Sequence, residues 1–137
     1  MHWEFHYHAD QRYLEVLIGG NPTSDELNAM AKERWHKLQE LNCSKILFDF
    51  TAITSMLATF EIYHRPEETK RLGILRVNRT AAVVSPAYWR EFKILENAYQ
   101  RSGYDLHVFA NKEDALVYLL AAPSVAAAPQ PGASDAD

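Results

Sequence analysis

A short apolar run, ILFDF at residues 46–50, is the feature that most restricts the fold of this chain. Helical patterns precede and follow it, and Asp49 is its one charged residue. An apolar run of this length between two helical patterns is typical of a strand that is covered on both faces of a sheet. The sequence therefore predicts an α/β fold built around this strand.

Four further strands are predicted around it. Two alternating segments at the start of the chain indicate a β-hairpin with an aromatic inner face, and two later apolar runs indicate buried strands. Gly19 and Gly20 are expected to break the second strand of the hairpin. The four strands are predicted at residues 2–8, 12–18, 79–85 and 106–109.

Four helices are predicted between and after the strands. Thr23 followed by Glu26 is a capping-box signature that begins a helix of about 18 residues, with Asn42 as its C-cap. Asn111 is expected to cap the last helix, which runs to residue 120. The other two are predicted at residues 57–72 and 87–101, and Pro66 should make the first of these kink or restart.

The predicted order is a hairpin followed by alternating units, β-β-α-β-α-β-α-β-α. This order favours a mixed, mostly parallel sheet of about five strands flanked by helices, with right-handed crossovers. A chain of 137 residues, 47% of them apolar, is expected to form one domain, at residues 1–120. The Ala- and Pro-rich segment 121–137 is predicted to be a disordered tail.

Charge and cysteine content exclude several classes of protein. A net charge of −4 without a basic run argues against a nucleic-acid partner. Cys43 is the only cysteine, so no disulfide can form within the chain, and no secretory signal is apparent. No apolar stretch approaches the roughly 18 residues of a transmembrane segment. We therefore expect a cytoplasmic protein.

Four stretches together resemble the SpoIIAA-like superfamily, which includes STAS domains and CRAL-TRIO lipid-binding domains. They are ILFDFTAIT, the helix around Ile62 and Tyr63 with Pro66 and Gly73, RTAAVVSP, and the ending VFANKEDALVYLL. The chain is most similar to the small bacterial single-domain branch described as STAS/SEC14-like, and the likeness covers about residues 2–120. The resemblance implies a regulatory binding domain that has no catalytic activity.

One functional motif of that family is absent. The resemblance implies a phosphorylatable serine at the start of the helix after the central strand, in an Asp-Ser pair. Counted from Asp49, the pair would fall at Leu57 and Ala58, neither of which accepts phosphate. Ser55 and Thr59 are near but do not match the motif. The phosphorylation switch is therefore not expected here.

The best candidate site is a crevice beyond the carboxyl ends of the parallel strands, where ligands of open α/β sheets usually bind. Hydroxyls, an aromatic wall and helix N-termini suit a small molecule or an anion. The same residues are also typical helix caps and packing residues. The predicted ligand-binding residues are Asp49, Thr51, Thr54, Ser55, Thr59, Ser85, Tyr88 and Trp89.

Other chemistry is less well supported. His2, Glu4, His6 and His8 share one strand face and could meet at a metal ion, but such a face is more typical of solvated side chains. Ser85 lacks the G-x-S-x-G context of a hydrolase, and there is no phosphate-binding glycine loop. We therefore predict no catalytic residue, no metal and no cofactor.

The main functional prediction is a regulatory domain of STAS type that binds a protein partner. The alternative is a carrier or sensor of a small apolar or anionic ligand, bound at the carboxyl ends of the parallel strands. A homodimer through the edge of the first strand is a further prediction, because unpaired strand edges invite pairing.

Overall fold

A computed structural model describes residues 1–76 and 78–121. Within them lie five strands: β1 (His2–His8), β2 (Tyr13–Gly20), β3 (Lys45–Ile53), β4 (Arg79–Val83) and β5 (Asp105–Phe109). The helices there are α1 (Ser24–Leu41), α2 (Thr59–Arg71), α3 (Trp89–Arg101) and α4 (Lys112–Leu120), and a 3₁₀ turn, Pro86–Tyr88, precedes α3. Apart from Ala121, the predicted disordered tail lies outside the described residues.

The strands form one sheet in chain order, β1-β2-β3-β4-β5. β1 is antiparallel to β2, and all other neighbours are parallel. The predicted α/β fold with a hairpin followed by parallel strands is therefore confirmed. Because right-handed crossovers join strands that follow one another in order, α1, α2 and α3 share one face of the sheet.

Alternate residues of each strand point to opposite faces and build two cores. Phe48 of β3 belongs to the core on the side of α1 and α3, together with Val16, Leu38 and Phe92. Its neighbour Leu47 belongs to the core under α4, with Ala81, Ala115 and Leu119. Of the described helices, α4 alone covers this second face, which explains why the first core is the larger.

The predicted caps of α1 and α4 are confirmed. Thr23 Oγ1 accepts from the N–H of Glu26 at 3.2 Å, and Asn111 Oδ1 accepts from the N–H of Asp114 at 2.8 Å. Asn42 ends α1 in the left-handed conformation, with φ 49°. Local side-chain hydrogen bonding therefore fixes these helix ends, as the sequence indicates.

The prediction that Gly19 and Gly20 break β2 is wrong. After a register shift, Gly19 pairs with Ala52 and Gly20 pairs with Ile53, which also lengthens β3 beyond residue 50. A Cβ on Gly19 would meet the imidazole of His2, which crosses the neighbouring strand closely, so a larger residue here would displace the His2 side chain.

Several other boundaries also differ from the sequence prediction, including the start of α3, at Trp89 instead of about residue 87. β4 ends at Val83 instead of residue 85, and α2 begins at Thr59 instead of residue 57. α2 then continues through Pro66 to Arg71 without restarting. Proline removes one helical hydrogen bond, but the burial of Ile62, Pro66 and their neighbours on one side of α2 outweighs that loss. None of the described helices combines the length and apolarity needed to cross a membrane.

Candidate functional site

The predicted crevice follows β3 and β4, which end at the same edge of the sheet because Asp49 pairs with Val83 in parallel. Asp49 Oδ1 accepts hydrogen bonds from the backbone N–H of Thr51 at 2.9 Å and from its Oγ1 at 2.6 Å. Thr54 Oγ1 donates to Asn21 Oδ1 at 2.7 Å. These three predicted residues therefore already have hydrogen-bond partners, within β3 for Asp49 and Thr51 and in the segment after β2 for Thr54.

The remaining predicted residues follow β3 or β4 in the chain. The N-cap of α2 is Ala58, and Ser85 precedes the 3₁₀ turn without a side-chain capping hydrogen bond. Trp89 starts α3, and Lys93 Nζ lies 5.8 Å from the centre of its ring. None of the eight predicted residues lines the apolar cavity between the helices and the sheet. A ligand site at these eight residues stays a prediction.

That cavity has a volume of about 110 Å³ and lies between the sheet and the layer formed by α1, α2 and α3. Leu75, which follows α2, lines the cavity and is itself 59% exposed, so the cavity reaches the surface near this residue. The walls are mostly apolar, and include Leu27, Met30, Ile46, Phe48, Phe50, Ile53, Leu57, Phe92 and Leu95.

Arg34 of α1 places a buried positive charge in the cavity wall. The residue is 9% exposed, and its guanidinium carbon lies 5.2 Å from the centre of the Phe48 ring. Nε has no hydrogen-bond partner, and no carboxylate of the described residues forms an ion pair with this side chain. Burial lowers the pKa of Arg34 to about 10, so the group remains charged at neutral pH.

Arg65 of α2 also lines the cavity, but it has a partner. Its Nη1 donates to Oδ1 of Asn28 at 2.8 Å, and Nδ2 of Asn28 donates to Oε1 of Glu68 at 3.0 Å. The amide of Asn28 thus connects Arg65 to a carboxylate. Arg65 and Arg34 also repel each other, which lowers the pKa of Arg34 further. Arg34 is therefore the less compensated of the two cations.

The other polar residues that line the cavity are Thr69, Asn78, Thr80, Tyr99, Tyr104 and Asp105, and the carboxylate of Asp105 has partners in Tyr118 and His107. Thr69 Oγ1 and the hydroxyl of Tyr99 lie 2.7 Å apart, and Thr69 Oγ1 also donates to the carbonyl of Arg65 at 3.0 Å. The hydroxyl of Tyr104 donates to the carbonyl of Ile74 at 2.9 Å. Burial raises the pKa of Tyr104, so this hydroxyl is protonated at neutral pH. The cavity is therefore amphipathic, with two arginines, hydroxyl groups, one amide and one carboxylate in a mostly apolar wall.

Sequence reasoning missed both arginines, although a signal for them was present. Arg34 lies on the buried stripe of α1, where Leu27, Met30, Ala31 and Leu38 recur at helical spacing. Arg65 lies in the same way between Ile62 and Thr69 on α2. An arginine inside an apolar stripe is unusual, because arginine is almost never fully buried unless it is paired. That irregularity was the detectable sign of the cavity.

The opposite face of the sheet also buries a charge, at Glu15 of β2. Its two oxygens accept from Lys112 Nζ at 2.7 Å and from His8 Nε2 at 2.8 Å. Burial raises the pKa of Glu15, but the hydrogen bonds from Lys112 and His8 outweigh that effect and lower it below its ordinary value. Lys112 has a raised pKa, chiefly because of its hydrogen bond to Glu15.

No protein-family model matches this chain, and no curated protein matches it. The resemblance to the SpoIIAA-like superfamily therefore stays a prediction. The positions of the family's Asp-Ser pair can be located nevertheless. Leu57 is buried in the cavity wall, and Ala58 is the N-cap of α2.

The other candidate residues lie apart from the cavity. On β1, His6 Nε2 is 3.7 Å from Glu4 Oε2, and both side chains are more than half exposed. Among residues 1–76 and 78–121, no three histidine, cysteine or acidic side chains are grouped as metal ligands. Cys43 is half-buried, and its Sγ lies 3.4 Å from the carbonyl oxygens of Arg12 and Lys45.

Proposed function

We propose that this protein is a non-enzymatic binding domain whose ligand is a small apolar anion held in the cavity between the sheet and helices α1–α3. The buried Nε of Arg34, which has no hydrogen-bond partner in the described part of the chain, carries this proposal. A buried charge without a partner costs several kcal/mol, about the cost that a bound anion would offset. This proposal keeps the carrier or sensor function that the sequence offers as the alternative. It places the ligand in the cavity instead of the crevice at the carboxyl ends of the strands.

The volume of the cavity limits the size of the ligand. An apolar cavity of about 150 Å³ holds a single benzene ring. A cavity of about 110 Å³ that opens to the surface near Leu75 is smaller than this, so it suits a short chain, or one ring that extends into the opening, better than a long acyl chain. Together with the charge of Arg34, this size favours a monocarboxylate such as valerate or benzoate.

The chemistry of Arg34 favours an anion over a neutral ligand. A carboxylate near Nε would provide a charge-assisted hydrogen bond, which is roughly twice as strong as one between neutral groups. The low dielectric of the apolar wall would strengthen the attraction further. A neutral ligand of the same shape would leave the guanidinium without compensation.

The test is to titrate the protein with benzoate and with benzyl alcohol, which share a ring but differ in charge, using calorimetry. We expect benzoate to bind more tightly than benzyl alcohol. The substitution Arg34→Met should weaken benzoate binding about 100-fold, because truncating one partner of a buried charge pair costs about 2–5 kcal/mol. Binding of benzyl alcohol should change little.

Arg90→Met is the matched control, because Arg90 is an exposed arginine of α3 that lies away from the cavity wall. It should leave both titrations unchanged. Equal affinities for benzoate in wild type and Arg34→Met would contradict the proposal. Native mass spectrometry of protein purified from cells, compared with denaturing spectra, would reveal a ligand retained from the cell.

A regulatory function through a protein partner is the second candidate, and one observation favours it. Phe60 and Tyr63 of α2 are 67% and 57% exposed, on the helix whose inner side carries Arg65 and Thr69. An exposed aromatic pair on a helix is a suitable contact for another protein. Because α2 also forms a wall of the cavity, a bound ligand that shifts α2 would also shift Phe60 and Tyr63 on its outer side.

This second function has a separate test. The double substitution Phe60→Ser and Tyr63→Ser should remove a co-purifying protein from native mass spectra while benzoate binding is retained. Val117→Ser, at a 70% exposed apolar residue of α4, is the control and should leave the complex intact. A complex that survives the double substitution would show that α2 is not the contact.

A further inference from the structure

β1 is the longer of the two edge strands of the described sheet, and nothing in its sequence prevents another strand from pairing with it. Among residues 1–76 and 78–121, β1 is the first strand in the sheet order and pairs with β2 alone, through all seven of its residues. It contains no proline, lysine, glycine or bulge, which are the features that usually protect an edge strand. The other edge strand, β5, is shorter, at five residues. β1 is thus the better template for another strand.

The residues of β1 are complementary to a second copy of the same strand. In an antiparallel pair of two β1 strands centred on Phe5, Trp3 of one copy faces Tyr7 of the other, and Glu4 of one copy faces His6 of the other. The two-fold symmetry repeats each of these contacts once. Glu4 and His6 lie on the exposed face of the strand, with side chains 71% and 53% exposed. The aromatic residues lie on the opposite face, against the larger core. Carboxylate–imidazole and aromatic cross-strand pairs both stabilise antiparallel strands.

Other registers are less favourable. A shift by one residue would place the aromatic face of one strand against the polar face of the other. A shift by two residues in one direction would set Glu4 against Glu4 and shorten the ladder. A shift by two residues in the other direction sets Glu4 against His8 but also shortens the ladder, so only the register centred on Phe5 pairs all residues from His2 to His8.

We propose that two copies of this protein associate through β1, in antiparallel register about Phe5, to form one continuous sheet of ten strands. The partner is a second copy of this chain because the complementarity is that of the strand with itself. A two-fold axis relates the copies, as in most soluble dimers. This inference is independent of the ligand proposed for the cavity.

The test is sedimentation equilibrium of the full chain, with charge substitutions on β1. Wild type should be dimeric. His6→Glu places two carboxylates opposite each other, and Glu4→Lys removes the carboxylate from each pair, so each single variant should raise the dimer dissociation constant about tenfold or more. A mixture of the two variants should form a heterodimer, because each introduced charge then faces its opposite.

Glu113→Lys, at an exposed residue of α4, is the control and should remain dimeric. Circular dichroism checks that each variant is folded. Hydrogen exchange of wild type gives a measurement without substitutions, since the amides of β1 that face away from β2 should exchange more slowly in the dimer. A monomeric wild type, a dimer unaffected by both substitutions, or a mixture that stays monomeric would overturn the proposal.

Discussion

Both faces of the sheet bury a charged residue, Glu15 on one face and Arg34 on the other, and these two residues differ in whether their polar atoms have hydrogen-bond partners. On the face of α4, Glu15 is 6% exposed, and both of its oxygens are satisfied by Lys112 and His8. On the face of α1–α3, Arg34 is 9% exposed and its Nε has no partner in the described part of the chain. The two residues are buried to a similar degree, but hydrogen bonds offset the cost of burying the charge only at Glu15.

This difference distinguishes a structural charge from one that is available to a ligand. Glu15 connects β2 to α4, and its hydrogen bonds offset the cost of desolvation. Arg34 forms no hydrogen bond or ion pair with the residues that the structure describes, and Phe48 provides only a weaker attraction. The comparison therefore predicts that removing the two charges changes stability with opposite signs.

The largest expected effect is at Glu15. Glu15→Met removes two charge-assisted hydrogen bonds between β2 and its neighbours, so it should lower the free energy of unfolding by about 2–3 kcal/mol. Urea denaturation measures this change. Glu113→Met, at an exposed residue of α4, should change it by less than about 0.5 kcal/mol. A loss at Glu15 no larger than in this control would show that the pair is not structural.

Arg34→Met should have the opposite sign. Without ligand, replacing a buried and uncompensated guanidinium with an apolar side chain should raise the free energy of unfolding by about 1–2 kcal/mol. The loss of the contact with Phe48 reduces this gain. Urea denaturation of ligand-free protein, compared with Arg90→Met, is the measurement. Marked destabilisation would mean that Arg34 is a structural residue, like Glu15.

Tyr99→Phe sharpens the comparison within the cavity wall. It removes one hydrogen bond to Thr69, which keeps its bond to the carbonyl of Arg65, so the cost should be only about 1 kcal/mol. The thermal midpoint of unfolding measures the change. Tyr63→Phe, at an exposed tyrosine of α2, is the matched control and should have no effect.

The smallest effect is a dependence on pH. The pKa of Glu15 is lower in the folded state than its ordinary value of 4.5. Its contribution to stability is thus present above that value and is lost as the pH falls through the folded pKa. The stability difference between wild type and Glu15→Gln should therefore shrink below about pH 4.5. A constant difference in urea denaturation down to acid pH would exclude this linkage.

Much of the fold could be predicted because its signals are local. Alternation identified β1, the apolar run identified β3, and the caps Thr23 and Asn111 located helix starts. The errors arose where a neighbouring element decided the conformation. Gly19 and Gly20 stay in β2 because β3 pairs with them, and α2 continues through Pro66 because its buried side holds it in place.

For the candidate site too, local signals could be read from the sequence, whereas contacts between distant residues could not. The sequence alone determined the order of strands and helices and the edge of the sheet that carries Asp49. Only the tertiary structure decided that Arg34 and Arg65, 31 positions apart by their numbers, line one cavity. Compensation of a buried charge depends on which atoms lie within a few ångströms of it, and folding brings those atoms together from distant parts of the chain.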